Sequence, residues 1–118
     1  MNFELTEEQQ LIGQSARDFA KEYLDPIAVE LDHSGEFPKA VVDALAQHDF
    51  LGLLLPGEVG GAEAGFVSYV EVIETLSRSL PAVASIMNNH AIAAYAIQQW
   101  GTAEQKTQYL PGLATGEI

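Results

Sequence analysis

The sequence contains no cysteine, which excludes disulfides, thiolate nucleophiles and cysteine-based metal sites. It is also poor in positive charge: five Lys and Arg stand against seventeen Asp and Glu, for a formal charge of −12. Nucleic acid and anionic membrane surfaces both require clustered cations, so neither is expected as a partner. A polyphosphate ligand held by this chain alone is disfavoured for the same reason. No apolar run approaches the length of a membrane span, and the acidic N-terminus is unlike a signal peptide. The expectation is a soluble, cytoplasmic protein with a solvated acidic surface. What is present is enough for one domain. With 118 residues, 47% of them hydrophobic, the chain can bury roughly two-thirds of its surface.

Apolar residues recur at helical spacing almost throughout. Thr6 and Gln9 form a capping-box pattern, with Glu7 and Glu8 at the positive end of the helix dipole. Leu11, Ile12, Ala16, Phe19, Tyr23 and Leu24 follow on one face. Asp25-Pro26 predicts a kink or restart, because proline lacks the backbone donor, and Ile27 and Leu31 continue the apolar face. A second unit starts at Pro38, packs Val41, Val42, Leu45 and Phe50, and ends at Gly52. A third runs from about Val67 to Ser79 with Val70, Ile73 and Leu76 inward. Pro81 opens a fourth, whose Val83, Ile86, Met87, Ala94 and Ile97 face a core. It carries no charge through Trp100, which predicts burial on most sides. Thr102 and Gln105 form a second capping box, starting a helix that Pro111 is expected to interrupt. The fold class is all-α, a helical bundle with one glycine-rich irregular loop from Leu53 to Gly65.

Three segments invite a functional reading. Gly57-Glu-Val-Gly60-Gly61 resembles a phosphate-cradling turn. However, the glycine spacing is not that of the dinucleotide fingerprint, and Glu58 and Glu63 would repel phosphates. A structural turn is the better reading. Glu71 and Glu74 lie three apart, as carboxylate metal ligands can. A solvent-facing or ion-paired Glu71, with Glu74 meeting Arg78 at i+4, explains them without a metal. Asn88-Asn89-His90 is a polar cluster inside an apolar helix. Such groups need hydrogen bonds, so they either tie helices together or line a cavity.

Signposts along the whole chain resemble the N-terminal helical domain of the acyl-CoA dehydrogenase family. In order they are Leu5-Thr6 with Gln9, Arg17 to Ala20, Pro26-x-Ala28-x-Glu30-x-Asp32 and Phe37-Pro38. Then come Leu51-Gly52, Pro56, Gly60-Gly61 and Ile73-Glu74-x-Leu76-x-Arg78. Gly101-Thr102-x-Glu104-Gln105-Lys106, Tyr109-Leu110-Pro111 and Gly116-Glu117 complete the series. Residues 1–118 would then be one domain of a longer enzyme, without its FAD-binding β-domain and C-terminal helical domain.

The resemblance implies an FAD-dependent oxidoreductase in fatty acid metabolism that introduces a double bond into an acyl-CoA thioester. A glutamate base takes the α-proton and a hydride passes to the flavin. Base and most flavin contacts belong to the missing domains, so no catalytic, metal or confident cofactor residue is assigned here, and the isolated chain is expected to be inactive. The partners implied are the acyl-CoA substrate, the remaining domains, and further copies in a dimer or tetramer. The contribution of this domain would be one wall of the acyl-chain pocket, at Ala84, Ser85, Asn88 and Ile92, with Tyr69 to Ile73 adding to it. A polar Asn88 on that wall points to a short, branched or polar acyl group. Two other readings remain: the same domain of a flavin monooxygenase or nitroalkane oxidase, and a stand-alone helical interaction module.

Overall fold

The computed structural model describes residues 2–118, and all regular structure among them is helical. Helix α1 spans Glu7–Phe19. Its start is fixed by the expected capping box: Gln9 N–H donates to Thr6 Oγ1 at 3.2 Å, and Thr6 N–H donates to Gln9 Oε1 at 2.8 Å. Beyond Phe19 the helix widens into a π-turn, Ala20–Leu24, where Asp25 N–H reaches back to the Ala20 carbonyl at 2.8 Å. This wide turn lets the chain leave the helix just before Pro26, which has no N–H to contribute. The chain restarts as α2, Ala28–Ser34. Ala16, Phe19 and Leu24 are buried as expected, but Leu11 is exposed. Nothing in α2 is buried; Leu31 only leans on the core and Ile27 faces outward.

Helix α3, Lys39–Gln47, is followed by a 3₁₀ turn at Phe50–Gly52. Helix α4, Gly65–Ser79, begins two residues before the expected start. Its buried stripe is Ser68, Val72 and Leu76 at i, i+4 and i+8, so Val70 points out to solvent instead of inward. Helix α5 is Pro81–Trp100, and a single extended residue, the buried Leu80, separates it from α4. With proline in the first turn, the reversal is as tight as a helical hairpin permits.

The main core gathers Phe19, Leu24, Leu45, Leu76, Val83 and Met87 from α1, the π-turn, α3, α4 and the start of α5. Each such side chain stabilises the fold by roughly 1.5–3 kcal/mol on burial. A smaller second core holds Leu55, Ala94, Leu110, Leu113 and Ala114. It joins α5 to α6, Ala103–Thr115, whose Thr102 and Gln105 form the second capping box. Pro111 does not interrupt α6. Its ring is exposed, while Leu110, Leu113 and Ala114 on the other side are buried. That packing outweighs the missing backbone bond.

Candidate functional site

Helices α4 and α5 run antiparallel from Leu80, and the Leu53–Gly65 loop closes over their far ends. Between the three lies an apolar cleft of two adjoining chambers. The inner one, about 270 Å³, is lined by the loop residues Leu53 to Pro56 and by Phe50, Phe66, Tyr69, Ala94 and Gln98 among others. The outer one, about 250 Å³, is lined by Asn88, Ile92, Ala96 and Trp100 with Leu54, Phe66, Tyr69 and Tyr95. No charged side chain lines either chamber. Such a surface accepts hydrocarbon and offers nothing to a phosphate.

The loop that bounds the cleft is held by its own backbone. Ala62, Glu63 and Ala64 N–H donate to the carbonyls of Gly52, Leu55 and Leu53 at 2.9, 3.0 and 2.8 Å. Gly60 has φ +92°, and a Cβ at Gly61 would overlap the Leu55 carbonyl, so both positions need glycine. Glu63 sits at φ +49° and its carboxylate accepts from Gly57 N–H. The amide that a phosphate turn would present is thus already taken by an internal anion. This explains the paired glycines structurally, and the segment makes no seat for the flavin pyrophosphate.

Of the four wall positions, the structure brings Asn88 and Ile92 together in the outer chamber. Ser85 is exposed one turn before Asn88 and lines neither chamber, whereas Ala84 is buried in the main core. Within Tyr69 to Ile73, Tyr69 lines both chambers and Ile73 packs on the main core. The Tyr69 hydroxyl donates to Asn88 Oδ1 at 2.8 Å, so Asn88 both ties α4 to α5 and borders the cavity. Burial raises the Tyr69 pKa above its ordinary value of 10.0, keeping the phenol a neutral donor. His90 is a tie: the Leu113 carbonyl on α6 can only accept, so His90 Nε2 carries the proton across 2.7 Å.

Phe66, Tyr95 and Trp100 were not expected at the site. Tyr95 and Trp100 stand five apart on α5 and Phe66 opens α4, so no spacing joins the three, and a helix read as buried on most sides assigns such residues to a core. In fact α5 buries only Val83, Ala84, Met87 and Ala94, and Ile92 and Trp100 are 58% and 77% exposed. The apolar residues extend past the face that has a partner.

Glu71 and Glu74 meet different neighbours. Glu74 accepts from Arg78 at 2.7 Å in an exposed i,i+4 pair, and Glu71 borders a groove beside Arg17. The Glu-x-x-His spacing of di-metal bundles occurs at Glu30 and His33, both exposed on the short helix α2. No group of three or more candidate metal ligands forms among the described residues. Among those residues, too, no helix is long and apolar enough to cross a membrane.

The family model described as acyl-CoA dehydrogenase, N-terminal domain, matches residues 6–117. A short-chain-specific acyl-CoA dehydrogenase of Clostridium acetobutylicum is 38% identical over 99% of this chain and 31% of its own length. An NADH-dependent acryloyl-CoA reductase of Anaerotignum propionicum is 38% identical over 98% of this chain and 29% of its own. The butyryl-CoA dehydrogenase structure from Megasphaera elsdenii superposes with a TM-score of 0.89 at 32% identity, over 99% of this chain and 32% of that one. The chain therefore spans about a third of the length of the relatives it matches.

Proposed function

The chain belongs to the acyl-CoA dehydrogenase family as its N-terminal domain, and on that premise we propose that it forms one wall of the acyl-chain pocket in an FAD-dependent acyl-CoA dehydrogenase. The observation that carries this reading is the uncharged cleft between α4, α5 and the Leu53–Gly65 loop. Asn88 and Ile92 provide its α5 wall, with Ser85 continuing the exposed face toward the start of the helix. Ala84 lies behind that wall and fixes its distance from the core.

The division of labour follows from the residues. The cleft residues bind hydrocarbon, exclude water from it and orient the chain along α5. Flavin supplies the oxidising chemistry when bound, and the charged phosphates of flavin and coenzyme A need cations that this cleft lacks. Lys39 and Arg78 are already bonded to Asp43 and Glu74 on their own helices. In this reading the cofactor and the base belong to a β-domain and a C-terminal helical domain of the same longer protein, as the family resemblance implies. That protein is a cytoplasmic dimer or tetramer in this reading, as the family resemblance implies. The relatives named above favour this over a flavin monooxygenase, a nitroalkane oxidase or a stand-alone module.

The test is to purify the full-length protein with its flavin and add butanoyl-CoA anaerobically. Bleaching of the flavin absorbance is expected. Absence of bleaching with butanoyl-CoA, branched acyl-CoA and octanoyl-CoA alike would overturn the reading.

A further inference from the structure

We propose that Glu63 is a positioning residue of the cleft: its side chain latches the Leu53–Gly65 loop and so holds the loop wall in place. For what the cleft binds, this rests on the reading above. Glu63 is one of two non-glycine residues with positive φ among the described residues, at +49°. That backbone suits glycine, and a residue with a Cβ there costs free energy that glycine would not. Strain of this kind persists where the surroundings hold it. Here the side chain itself does so, because its carboxylate accepts from Gly57 N–H, six residues back.

The place of that bond gives it a task. Pro56, next to Gly57, and Gly65, two residues after Glu63, both line the inner chamber. The base of the loop is closed by the backbone bonds of residues 62–64 to residues 52–55. Its tip is closed by backbone bonds only on itself: Val59 and Gly61 N–H donate to the Pro56 carbonyl, and Gly60 N–H to the Gly57 carbonyl. The Glu63 carboxylate joins that tip to the returning side of the loop. Water could satisfy the exposed Gly57 N–H in its place, but would not link the two sides. An ionised acceptor also makes the stronger bond.

Three substitutions in the full-length enzyme separate the side chain from the backbone. Glu63→Ala removes the latch and keeps a Cβ at positive φ. Glu63→Gly removes the latch but suits the backbone. Glu63→Gln keeps an oxygen that accepts from Gly57 N–H. The readouts are KM and kcat for butanoyl-CoA, thermal denaturation, and hydrogen exchange of residues 53–55. Glu63→Ala and Glu63→Gly are expected to raise KM about threefold at nearly unchanged kcat, with faster exchange. Glu63→Gln should stay close to wild type in both. Glu63→Gly should melt no lower than Glu63→Ala, so its raised KM reports the lost latch and not lost stability.

In an active enzyme, a wild-type KM in Glu63→Gly would overturn the proposal, whatever the exchange rate, because Glu63 would then be structural only. A raised KM in Glu63→Gln equal to that of Glu63→Gly would overturn it too. If Glu63→Ala fails to fold, the Glu63→Gly and Glu63→Gln pair decides. An enzyme that oxidises no acyl-CoA fails the parent reading. Exchange of residues 53–55 then decides the latch by itself: faster in Glu63→Gly and restored in Glu63→Gln supports it, and no difference between them overturns it.

Discussion

The first seven residues of α5 and the thirteen that follow both lack Asp, Glu, Lys and Arg, yet their surroundings are opposite. From Pro81 to Met87 the helix sends Val83, Ala84 and Met87 into the main core. From Asn88 to Trp100 only Ala94 is buried, and Ile92, Tyr95 and Trp100 stand in or beside the cleft. Neither half carries a charge. What packs alongside also differs: the first part shares the main core with residues of α1, α3 and α4, whereas the second meets α6, the loop and the first turns of α4. An uncharged helix is therefore evidence of apolar surroundings without saying whether protein or ligand provides them.

The largest effect that could break this comparison comes from truncating one apolar side chain in each half. Met87 is 1% exposed and Ile92 58%. Met87→Ala should destabilise the chain by about 2–5 kcal/mol, and Ile92→Ala by no more than about 0.5 kcal/mol. Urea denaturation of both variants measures this directly. Equal losses would mean that the second half is as well packed as the first.

A mutation in the loop sharpens the same contrast, because the loop is the cover of the second half. A Cβ at Gly61 would collide with the Leu55 backbone, and Leu55 is a member of the smaller core with Ala94. Gly61→Ala should cost about 1–3 kcal/mol. Hydrogen exchange should speed up in the loop and in the C-terminal half of α5, and leave α1 and α4 near Val72 unchanged.

How much of this was legible in the sequence depends on whether the cause is local. Both capping boxes and the proline-led start of α5 were readable, since each is decided by residues within one turn of one another. The phase of α4 was readable only in part: Leu76 and Ile73 face the core as expected, and Val70 does not. Phe66, Val67, Val70 and Ile73 offer an apolar choice on several sides, and the buried stripe runs through a serine, Ser68. Pro111 was misread because distant contacts of Leu110 and Leu113 hold α6 through it. Of the site, Ala84, Ser85, Asn88 and Ile92 were singled out by resemblance, and the structure places Asn88 and Ile92 in one chamber. The Tyr69–Asn88 bond joins positions nineteen residues apart, a pairing set by the turn at Leu80 and not by any local motif.

Ser68 also allows a gain of stability. It is fully buried and its hydroxyl has no hydrogen-bond partner among the described residues, so it desolvates a polar group on the buried stripe of α4. Ser68→Ala should raise stability by about 1 kcal/mol. A loss measured by thermal or urea denaturation would show that the hydroxyl is satisfied in solution, and that the buried side of α4 is less dry than the cleft side.

The smallest expected effect is electrostatic and concerns Tyr69. Burial penalises the phenolate, so the folded pKa of Tyr69 lies above its ordinary value of 10.0. With a folded pKa above the unfolded one, the protonated phenol contributes stability that is fully present below pH 10 and is lost as pH rises through the folded value. Absorbance at the phenolate band should therefore show a late ionisation step, and Tyr69→Phe should remove it. Ionisation also deletes the O–H that Asn88 Oδ1 accepts, so the link between α4 and the cleft half of α5 should loosen over the same pH interval. Were the late step to survive in Tyr69→Phe, the desolvated phenol would belong to another residue, and the cleft half of α5 would have lost its one assigned tie to α4.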